Sequence, residues 1–481
     1  MSINSLLETG KVALNAQKLA LEVTGENITN VNTPGYSRQT TILETAPTTL
    51  ERGFPLGSGV EVAAVQRTYD AFLARQINSQ NAINGQGQSS NAALQRVQTL
   101  FNEFTTSGLG QSLQGFFNAW QDLTANPQGV PERQAVLSQG QQVVDNFHNI
   151  STSLNGVKND MDFSLSGTIS TMNNSLQQIA TLNREIKVVE IQSGGNANEM
   201  RDQRDLLIRQ LSQSVGVTFA EQPDGQVNVT LPNGDALVTG DKAATFSLQP
   251  NAANSGYNDV MLTPPGSVAA INETTYLESA ITPGGTIAGS LTIRDTKVNR
   301  YLSDLDELAA NLATQVNTVH AAGFGLTGAQ NNFFTPPASA PPVASPGYSA
   351  SIALNISSVN DVAAADADPT TASGPGNNVN AQNIADIYNK PVAMSSGTMT
   401  LESFYNALVG KVGVDVQKSG QAETQSSGVL QQLDNLRESN SGVSLDEELS
   451  NLVKYQKAYE GAAKLINVGT DMLDTVIGLI R

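Results

Sequence analysis

Apolar residues recur every seven positions along the last forty residues of the chain. This stripe consists of Leu445, Leu452, Tyr459, Ile466, Leu473 and Ile480. The positions four residues further on include Leu449 and Ile477, and those three further on include Ala462 and Val476. A stripe sustained for about five heptads predicts a helix of roughly 54 Å that packs along a partner helix. Ser444 and Glu447 have the spacing of a capping box at its start.

The N-terminal region carries a matching stripe. Its seven-residue spacing is set by Leu7, Leu14, Leu21 and Ile28. The simplest geometry pairs this helix with the C-terminal one, so that the two terminal segments form one coiled-coil-like domain. The alternative is that both are ordinary amphipathic helices packed on a globular core.

The middle of the chain is predicted to be helical up to Gly216, with breaks at Asn126-Pro127 and Gly194-Gly195. From Gly216 the apolar period shortens to two, and turn-forming residues at Pro223-Asp224-Gly225 predict a β-hairpin. Helices are predicted again from about Gly289 to Ala322, and from Leu401 onward with a break at Gly410–Gly413. The alternation from Ser351 to Ile356 is typical of a strand.

These patterns predict a mainly α protein with an inserted β domain. The inner, terminal coiled-coil domain is 1–66 with 441–481. A helical-bundle middle domain is 67–215 with 288–326 and 400–440. An outer β domain is 216–287, and 327–399 is a loop-rich segment of uncertain membership with short strands.

The charge balance excludes two classes of partner. Lys and Arg number 26 against 44 Asp and Glu, a net charge of −18. Nucleic-acid phosphates and anionic membrane surfaces would be repelled. The chain has no cysteine and no apolar run of transmembrane length, and it begins without a secretory signal pattern. Neither membrane insertion nor thiolate chemistry is expected.

No constellation typical of an enzyme or a cofactor site is present. Gly323-Phe324-Gly325-Leu326-Thr327-Gly328 fits a dinucleotide-binding pattern but follows a predicted helix instead of a strand. The two histidines, His148 and His320, are far apart, and a structural role is expected for His320. The alternating charges of Asp202-Gln203-Arg204-Asp205 are interpreted as a solvated helix face with local ion pairs. We therefore predict no catalytic residue, no metal and no cofactor.

Two long motifs resemble the bacterial flagellar axial proteins, the family of rod, hook and hook-associated proteins. The first is Glu26-Asn27-Ile28-Thr29-Asn30-Val31-Asn32-Thr33-Pro34-Gly35-Tyr36, continued by Ser37-Arg38-Gln39. The second is Ser441-Gly442-Val443-Ser444-Leu445-Asp446-Glu447-Glu448 with Tyr455-Gln456-Lys457-Ala458-Tyr459. The similarity is greatest to the hook-associated members, in which a segment like Asp202–Asp205 also occurs.

The resemblance implies a structural subunit that joins hook to filament and is exported unfolded, without cleavage, through the flagellar type III route. It implies self-assembly, contact with the hook protein and with the next hook-associated protein, and an export chaperone on the C-terminal helix. The expected assembly residues are those of the two stripes, with Leu449 and Ile477. The expected turn that follows the first helix is formed by Asn30, Asn32, Thr33, Pro34, Gly35 and Tyr36. Alternatives are a hook or rod protein, a secreted coiled-coil adhesin or effector, and an enzyme.

Overall fold

The computed structural model describes residues 3–51, 54–101, 108–278, 284–339, 341, 345–370 and 376–479. The helices in this part of the chain are α1 (Ile3–Thr29), α2 (Ala71–Leu100), α3 (Leu109–Ala125), α4 (Val130–Ser193), α5 (Asn198–Ser214), α6 (Thr274–Glu278), α7 (Gly285–Leu291), α8 (Val298–His320), α9 (Val379–Ala385), α10 (Leu401–Ser441) and α11 (Leu445–Gly478). A π-helical turn, Thr292–Lys297, joins α7 to α8.

The strands form small antiparallel sheets. They are β1 (Gln39–Thr45), β2 (Thr49–Glu51), β3 (Phe54–Leu56), β4 (Val60–Arg67), β5 (Thr218–Glu221), β6 (Val227–Thr230), β7 (Ala236–Thr239), β8 (Lys242–Ala243), β9 (Thr245–Pro250), β10 (Asn258–Thr263), β11 (Ile271–Asn272), β12 (Val392–Met394) and β13 (Gly397–Met399). The larger sheets have the orders β5-β6-β7-β8 and β11-β10-β9; β1 pairs with β4, β2 with β3, and β12 with β13.

The terminal helices α1 and α11 pack against each other, as the heptad patterns predicted. Their directions are antiparallel. The β1–β4 ribbon lies along α1, where Gly59 contacts Thr9. We call α1 and α11 together the terminal pair. Apart from this ribbon, the terminal pair has few contacts with other elements, so it is joined to the helical body mainly at the end that holds Asn27 and Glu448.

Helix α4 runs through the rest of the molecule as a spine of 64 residues, roughly 96 Å long. Pro131 lies in its first turn, and Gly194 caps its C-terminal end at the break that the sequence predicted. Its N-terminal half belongs to a first hydrophobic core, built with α3, α8, the start of α10 and the segment 333–394. Its C-terminal half belongs to a second core, built with α5, α7 and strands β5–β10.

His320 is fully buried in the first core. Its Nε2 atom accepts a hydrogen bond of 3.0 Å from the amide of Ala363, and its ring packs edge-on against Trp120 and Phe333. Burial lowers the pKa of His320 to about 4, because the imidazolium form would lose its hydration. The residue is a core histidine, as the sequence suggested.

Other local predictions also match the structure, while three that concern secondary structure and its caps are wrong. The helical break at Asn126, the β5–β6–β7 turns and the resumption of helix at Leu401 are confirmed. Helix α10, however, passes through Gly410 and Gly413 without a break, because its neighbouring turns supply packing that outweighs the low helix propensity of glycine. Residues 351–356 are mostly irregular, with one isolated bridge from Leu354 to Phe334, because the pairing with the short segment 333–335 does not extend into a regular strand.

The third correction concerns the start of α11. Ser444 occupies the N-cap position, but its side chain makes no capping hydrogen bond. Glu447 contacts Arg38 instead, in an ion pair of 2.7 Å. The predicted capping box is therefore absent, because a stronger charged partner from a distant segment binds Glu447.

Candidate assembly interface

Small residues line the contact between α1 and α11. The buried positions on α1 include Gly10, Ala16 and Ala20, and those on α11 are Glu448, Ala462 and Gly469. A Cβ atom on Gly469 would lie 2.8 Å from the Cδ2 atom of Leu7. This is closer than non-bonded carbon atoms approach, so glycine here lets the two helices come close together.

The sequence-predicted stripes lie beside this seam. Four positions on α1 are half-buried: Leu7, Leu14, Leu21 and Ile28. Four positions on α11 are also half-buried: Leu452, Tyr459, Ile466 and Leu473. Ile466 of this set packs against Gly10 of α1, where a Cβ atom would lie 2.8 Å from the Ile466 Cγ1 atom. Each stripe thus flanks the seam and keeps part of its apolar surface open to solvent.

Three of the remaining predicted positions on α11 face solvent. Leu445, Leu449 and Ile477 are 45%, 53% and 52% exposed. Ile480 lies outside the described residues. The intramolecular seam uses the line three residues beyond the seven-residue stripe, where Ala462 and Gly469 are buried. The line four residues beyond is less buried, because the small side chains of Ala462 and Gly469 allow closer packing.

A further exposed apolar surface runs along the free end of α11. It is formed by Leu465, Val468, Met472 and Leu479, which we call the apolar flank. Val468 is 54% exposed and Met472 is 49% exposed. Contiguous large apolar side chains on a helix surface mark interaction sites more often than isolated ones do. Sequence reasoning missed these residues because they fall outside the seven-residue stripe.

The other end of the terminal pair is fixed by a polar cluster that centres on Asn27. This side chain is 1% exposed. Its Nδ2 atom donates to Glu448 Oε2 at 3.1 Å and to the Gln39 carbonyl at 2.9 Å. Its Oδ1 atom accepts from the Tyr36 hydroxyl and the Gln39 amide, both at 2.9 Å. The hydrogen-bonding capacity of the amide is therefore filled, which fixes the register of α1 against α11.

The same cluster continues into the helical body through Asp202. Its carboxylate accepts from the Ser37 amide at 2.8 Å and pairs with Arg67 at 2.6 Å. Arg67 also pairs with Asp205 at 2.8 Å. Burial alone would lower the pKa of Arg67, but the two carboxylates raise it above its ordinary value. The sequence suggested a solvated helix face here, but Asp202 and Arg204 are buried and Asp205 is half-buried. The charges of Asp202 and Asp205 are held by a partner that is distant in the chain, Arg67.

Arg38 completes this cluster. Its Nε atom donates to Glu448 at 2.8 Å, and its backbone amide donates to the Ser441 carbonyl at 2.9 Å. We use the name hub for the residues that meet here: Asn27, Tyr36, Ser37, Arg38, Gln39, Arg67, Asn198, Asp202, Ser441 and Glu448. The hub brings α1, the β1–β4 ribbon, α5, the end of α10 and the start of α11 to one point.

The predicted motif turn lies next to the hub and has the geometry its residues suggested. The Thr33 amide bonds to the Asn30 carbonyl at 2.9 Å, and the Tyr36 amide to the Thr33 carbonyl at 3.2 Å. Gly35 has φ of +86° and abuts Leu206, so a side chain there would be strained and crowded. Asn32 and Pro34 are exposed. The whole turn, Asn30 to Tyr36, borders a recess of about 220 Å³ facing Arg437, Glu438 and Val443.

The described residues lack the groupings that a metal site or a membrane span would need. No group of three His, Cys, Asp or Glu side chains there is arranged to hold a metal ion. Within the same residues, no helix combines the length and apolarity needed to cross a membrane. The Gly323–Gly328 segment follows α8 directly and bonds to the segment 360–365, so its glycines serve a turn.

Known protein families match the two terminal regions and the helical middle of the chain separately. A family model described as "Flagellar hook-associated protein FlgK helical domain" matches residues 94–334. The two terminal regions match models described as "Flagella basal body rod protein", at residues 7–36, and "Flagellar basal body rod FlgEFG protein C-terminal", at residues 437–479. These last two matches cover most of the terminal pair and four residues of the hub, Asn27, Tyr36, Ser441 and Glu448.

Individual relatives are similar over nearly their whole length. "Flagellar hook-associated protein 1" of Bacillus subtilis is 29% identical over 98% of this chain and 97% of the relative. The Salmonella typhimurium protein of the same name is 26% identical over 99% of this chain and 100% of its own. A solved structure, "The structure of the flagellar hook junction protein FlgK from Burkholderia pseudomallei", aligns with a TM-score of 0.67 at 14% identity, covering 76% of this chain and 100% of that one.

The solved structure is similar in fold, and the helical-domain match covers half of the chain. Together with the terminal motifs, these findings show that the chain belongs to the FlgK family of flagellar hook-associated proteins.

Proposed function

We propose that this chain is a structural subunit that joins the flagellar hook to the filament and assembles through its terminal pair. The observation that carries the proposal is the contrast along that pair. The hub fixes one end through buried polar contacts, while the apolar flank and the half-buried stripes leave the other end with surface that only a neighbour can cover. An exposed surface of this kind is what an assembly subunit requires.

A rod or hook protein is a weaker alternative. The models named for rod proteins match only the two terminal regions, whereas the match to the FlgK helical domain covers the long helices between them. The terminal regions are thus similar to those of rod proteins, while the middle is similar to hook-associated proteins. This combination favours a place at the hook–filament junction over a place in the rod. A secreted adhesin would not need these terminal matches.

The partners follow from this assignment. We propose that copies of the chain contact each other, the hook protein and the next hook-associated protein through the terminal pair. An export chaperone would bind the C-terminal helix, where the apolar flank of α11 is open before assembly. The site of action would be extracellular, at the hook–filament junction, after a transient stay in the cytoplasm and export through the type III route. No cofactor and no catalytic step are proposed.

Attachment to isolated hooks tests the proposal directly. Val468→Asp places a charge on the apolar flank and should reduce co-sedimentation of the purified protein with hooks at least tenfold, because burying an unpaired carboxylate is costly. Its thermal unfolding should be unchanged, since Val468 is exposed in the free chain. Leu452→Asp combined with Ile466→Asp should abolish attachment by separating the terminal pair while the middle region stays folded.

The matched control is Asn467→Asp. It adds the same charge to the adjacent position, which is also exposed but points away from the apolar flank. Attachment of this variant should equal that of the native chain. Normal attachment of both the Val468 variant and the double variant would show that the terminal pair is not the assembly surface.

A further inference from the structure

The two hydrophobic cores meet along a polar layer halfway down the spine. On α4, the first core ends with Val157 and the second begins with Leu165. On the opposite side, Leu291 of α7 lies in the second core and Val298 of α8 in the first. Helix α4 on one side, and α7 joined to α8 on the other, therefore pass from one core to the other. Charged residues occupy the point where they do so.

The π-helical turn explains how one helix can serve both cores. A regular α-helix advances by about 100° per residue, so one extra residue in a turn rotates the following buried face by about that angle. The turn Thr292–Lys297 stands between α7 and α8 at the crossing point. It directs α7 toward the second core and α8 toward the first, and it places Arg294 in the layer between them.

Arg294 is fully buried and is held by contacts from three elements. Its guanidinium donates to both carboxylate oxygens of Asp295, at 2.8 and 2.6 Å. It also donates to Asp162 of α4 at 2.5 Å and to the Asn258 carbonyl of β10 at 2.9 Å. Burial tends to lower the pKa of Arg294, but the two carboxylates hold it above its ordinary value, so the charge is retained.

The tip of the β9–β10 hairpin, residues 251–258, is bound to the same residues. Asn258 donates to Asp162 through its backbone amide at 3.0 Å and through its side chain at 2.7 Å. Asn254 donates to Asp295 at 2.9 Å, and Lys158 lies 4.4 Å from the centre of the Tyr257 ring. Within the described residues, Ser255 is the one non-glycine residue with a positive φ, +54°, so the tip adopts a strained conformation that these contacts hold in place.

We propose that Arg294, Asp162, Asp295, Asn254 and Asn258 form a latch that fixes the hairpin tip on the spine and releases it as a unit. A buried guanidinium with charged partners is stable only when those partners are in place, so the latch is either closed or open. Each core lies to one side of the layer, so opening the latch exposes polar groups and leaves both cores intact. The latch is independent of the terminal pair and of the proposed assembly surface.

Amide hydrogen exchange on the full chain tests the latch. The amides of Asn254, Gly256 and Tyr257 bond within the tip, so their exchange reports whether the tip stays ordered. In Arg294→Met they should exchange at least tenfold faster than in the native chain. The amides of β6 and of the central part of α8 should keep their native rates, since β6 lies in the second core and α8 in the first.

The matched control is Arg201→Met. Arg201 is also largely buried and pairs with Glu190 at 2.6 Å, but it lies away from the hairpin tip. Its replacement should leave exchange at the tip unchanged. If Arg294→Met does not fold, Asp162→Asn removes one charged partner with almost no change in volume and should accelerate exchange at Asn254 and Tyr257 several-fold.

Two results would overturn the latch. One is native exchange at the tip in whichever of these variants folds. The other is an equal acceleration at the tip, in β6 and in α8, which would make Arg294 a residue of general stability and not a latch.

Discussion

The two ends of the terminal pair are built in opposite ways. At the hub, a few buried polar side chains satisfy one another across segments as distant as Asn27 and Glu448, which are 421 positions apart. At the free end, small residues such as Gly469 let the helices approach, and apolar side chains face solvent. Polar networks specify one geometry because unsatisfied alternatives are costly, whereas apolar surface accepts many partners. The molecule thus combines a fixed attachment with an open surface.

The largest expected effect comes from breaking the hub. Arg67→Met leaves the buried carboxylates of Asp202 and Asp205 without their shared cation, and breaking such a pair costs about 3–5 kcal/mol. Urea denaturation should show this loss in the free energy of unfolding. Arg96→Met, which removes an exposed ion pair with Asp160, should change it by less than about 1 kcal/mol. Equal losses in the two variants would mean that the hub contacts are no stronger than surface pairs.

The second prediction concerns the helical body, which contains His320, and uses the dependence of stability on pH. The folded-state pKa of His320 is about 4, below its ordinary value of 6.5. As pH falls from about 6.5 to 4, the unfolded state takes up a proton that the folded state does not, so stability decreases by up to about 3 kcal/mol. Above pH 6.5 the histidine is neutral in both states, and this loss of stability is absent.

His320→Asn should flatten the decline between pH 6.5 and 4, measured by urea denaturation at each pH. The matched control is His148→Asn, at a half-buried histidine whose ring lies 2.8 Å from the Ile352 carbonyl, and it should keep the decline. A decline of unchanged size in the His320 variant would assign the acid sensitivity to other groups.

The smallest expected effect lies at the free end. Gly469→Val introduces a side chain where a Cβ would already meet Leu7 at 2.8 Å, and overpacking of this kind costs roughly 1–3 kcal/mol, partly offset by better helix propensity. Amide exchange should accelerate in residues 3–12 and 465–478 and remain native near Asn27. Gly461→Val provides the control, because nothing lies within 4 Å of its Cβ position. Acceleration that reached Asn27 would show that the two ends are not independent.

Much of the fold could be predicted because its signals are local. The heptad stripes predicted the terminal helices and their pairing, Pro34-Gly35 predicted the turn, and the period change at Gly216 predicted the strands. The seam between α1 and α11 was harder, because the large apolar residues gave no sign that Gly10 would face Ile466 and Gly469 would face Leu7. An asparagine at a heptad-related position, Asn27 seven residues after Ala20, was the one local signal of the hub that sequence reasoning did not use.

The charged cluster around Asp202 could not be predicted from its own segment. Alternating charges on a helix are typical of a solvated face, and nothing near Asp202 in the sequence shows that Arg67 and Ser37 will cover it. The same holds for Arg294, whose partners come from α4 and β10. Buried ion pairs between distant segments depend on the completed tertiary structure, so a one-dimensional pattern carries no signal for them.

The separation between Asn27 and Glu448 also has a consequence for the order of folding. Closing a contact across 421 positions from a random chain is entropically costly and slow. Once the body from α2 to α10 has folded, these two helices lie side by side, with Gln80 and Asn84 of α2 bonded to Ser426 of α10. The chain that must still close is then much shorter. The terminal pair is therefore expected to form last, starting at the hub and extending toward its free end. In a refolding experiment, its amides should become protected after those of α4 and α8.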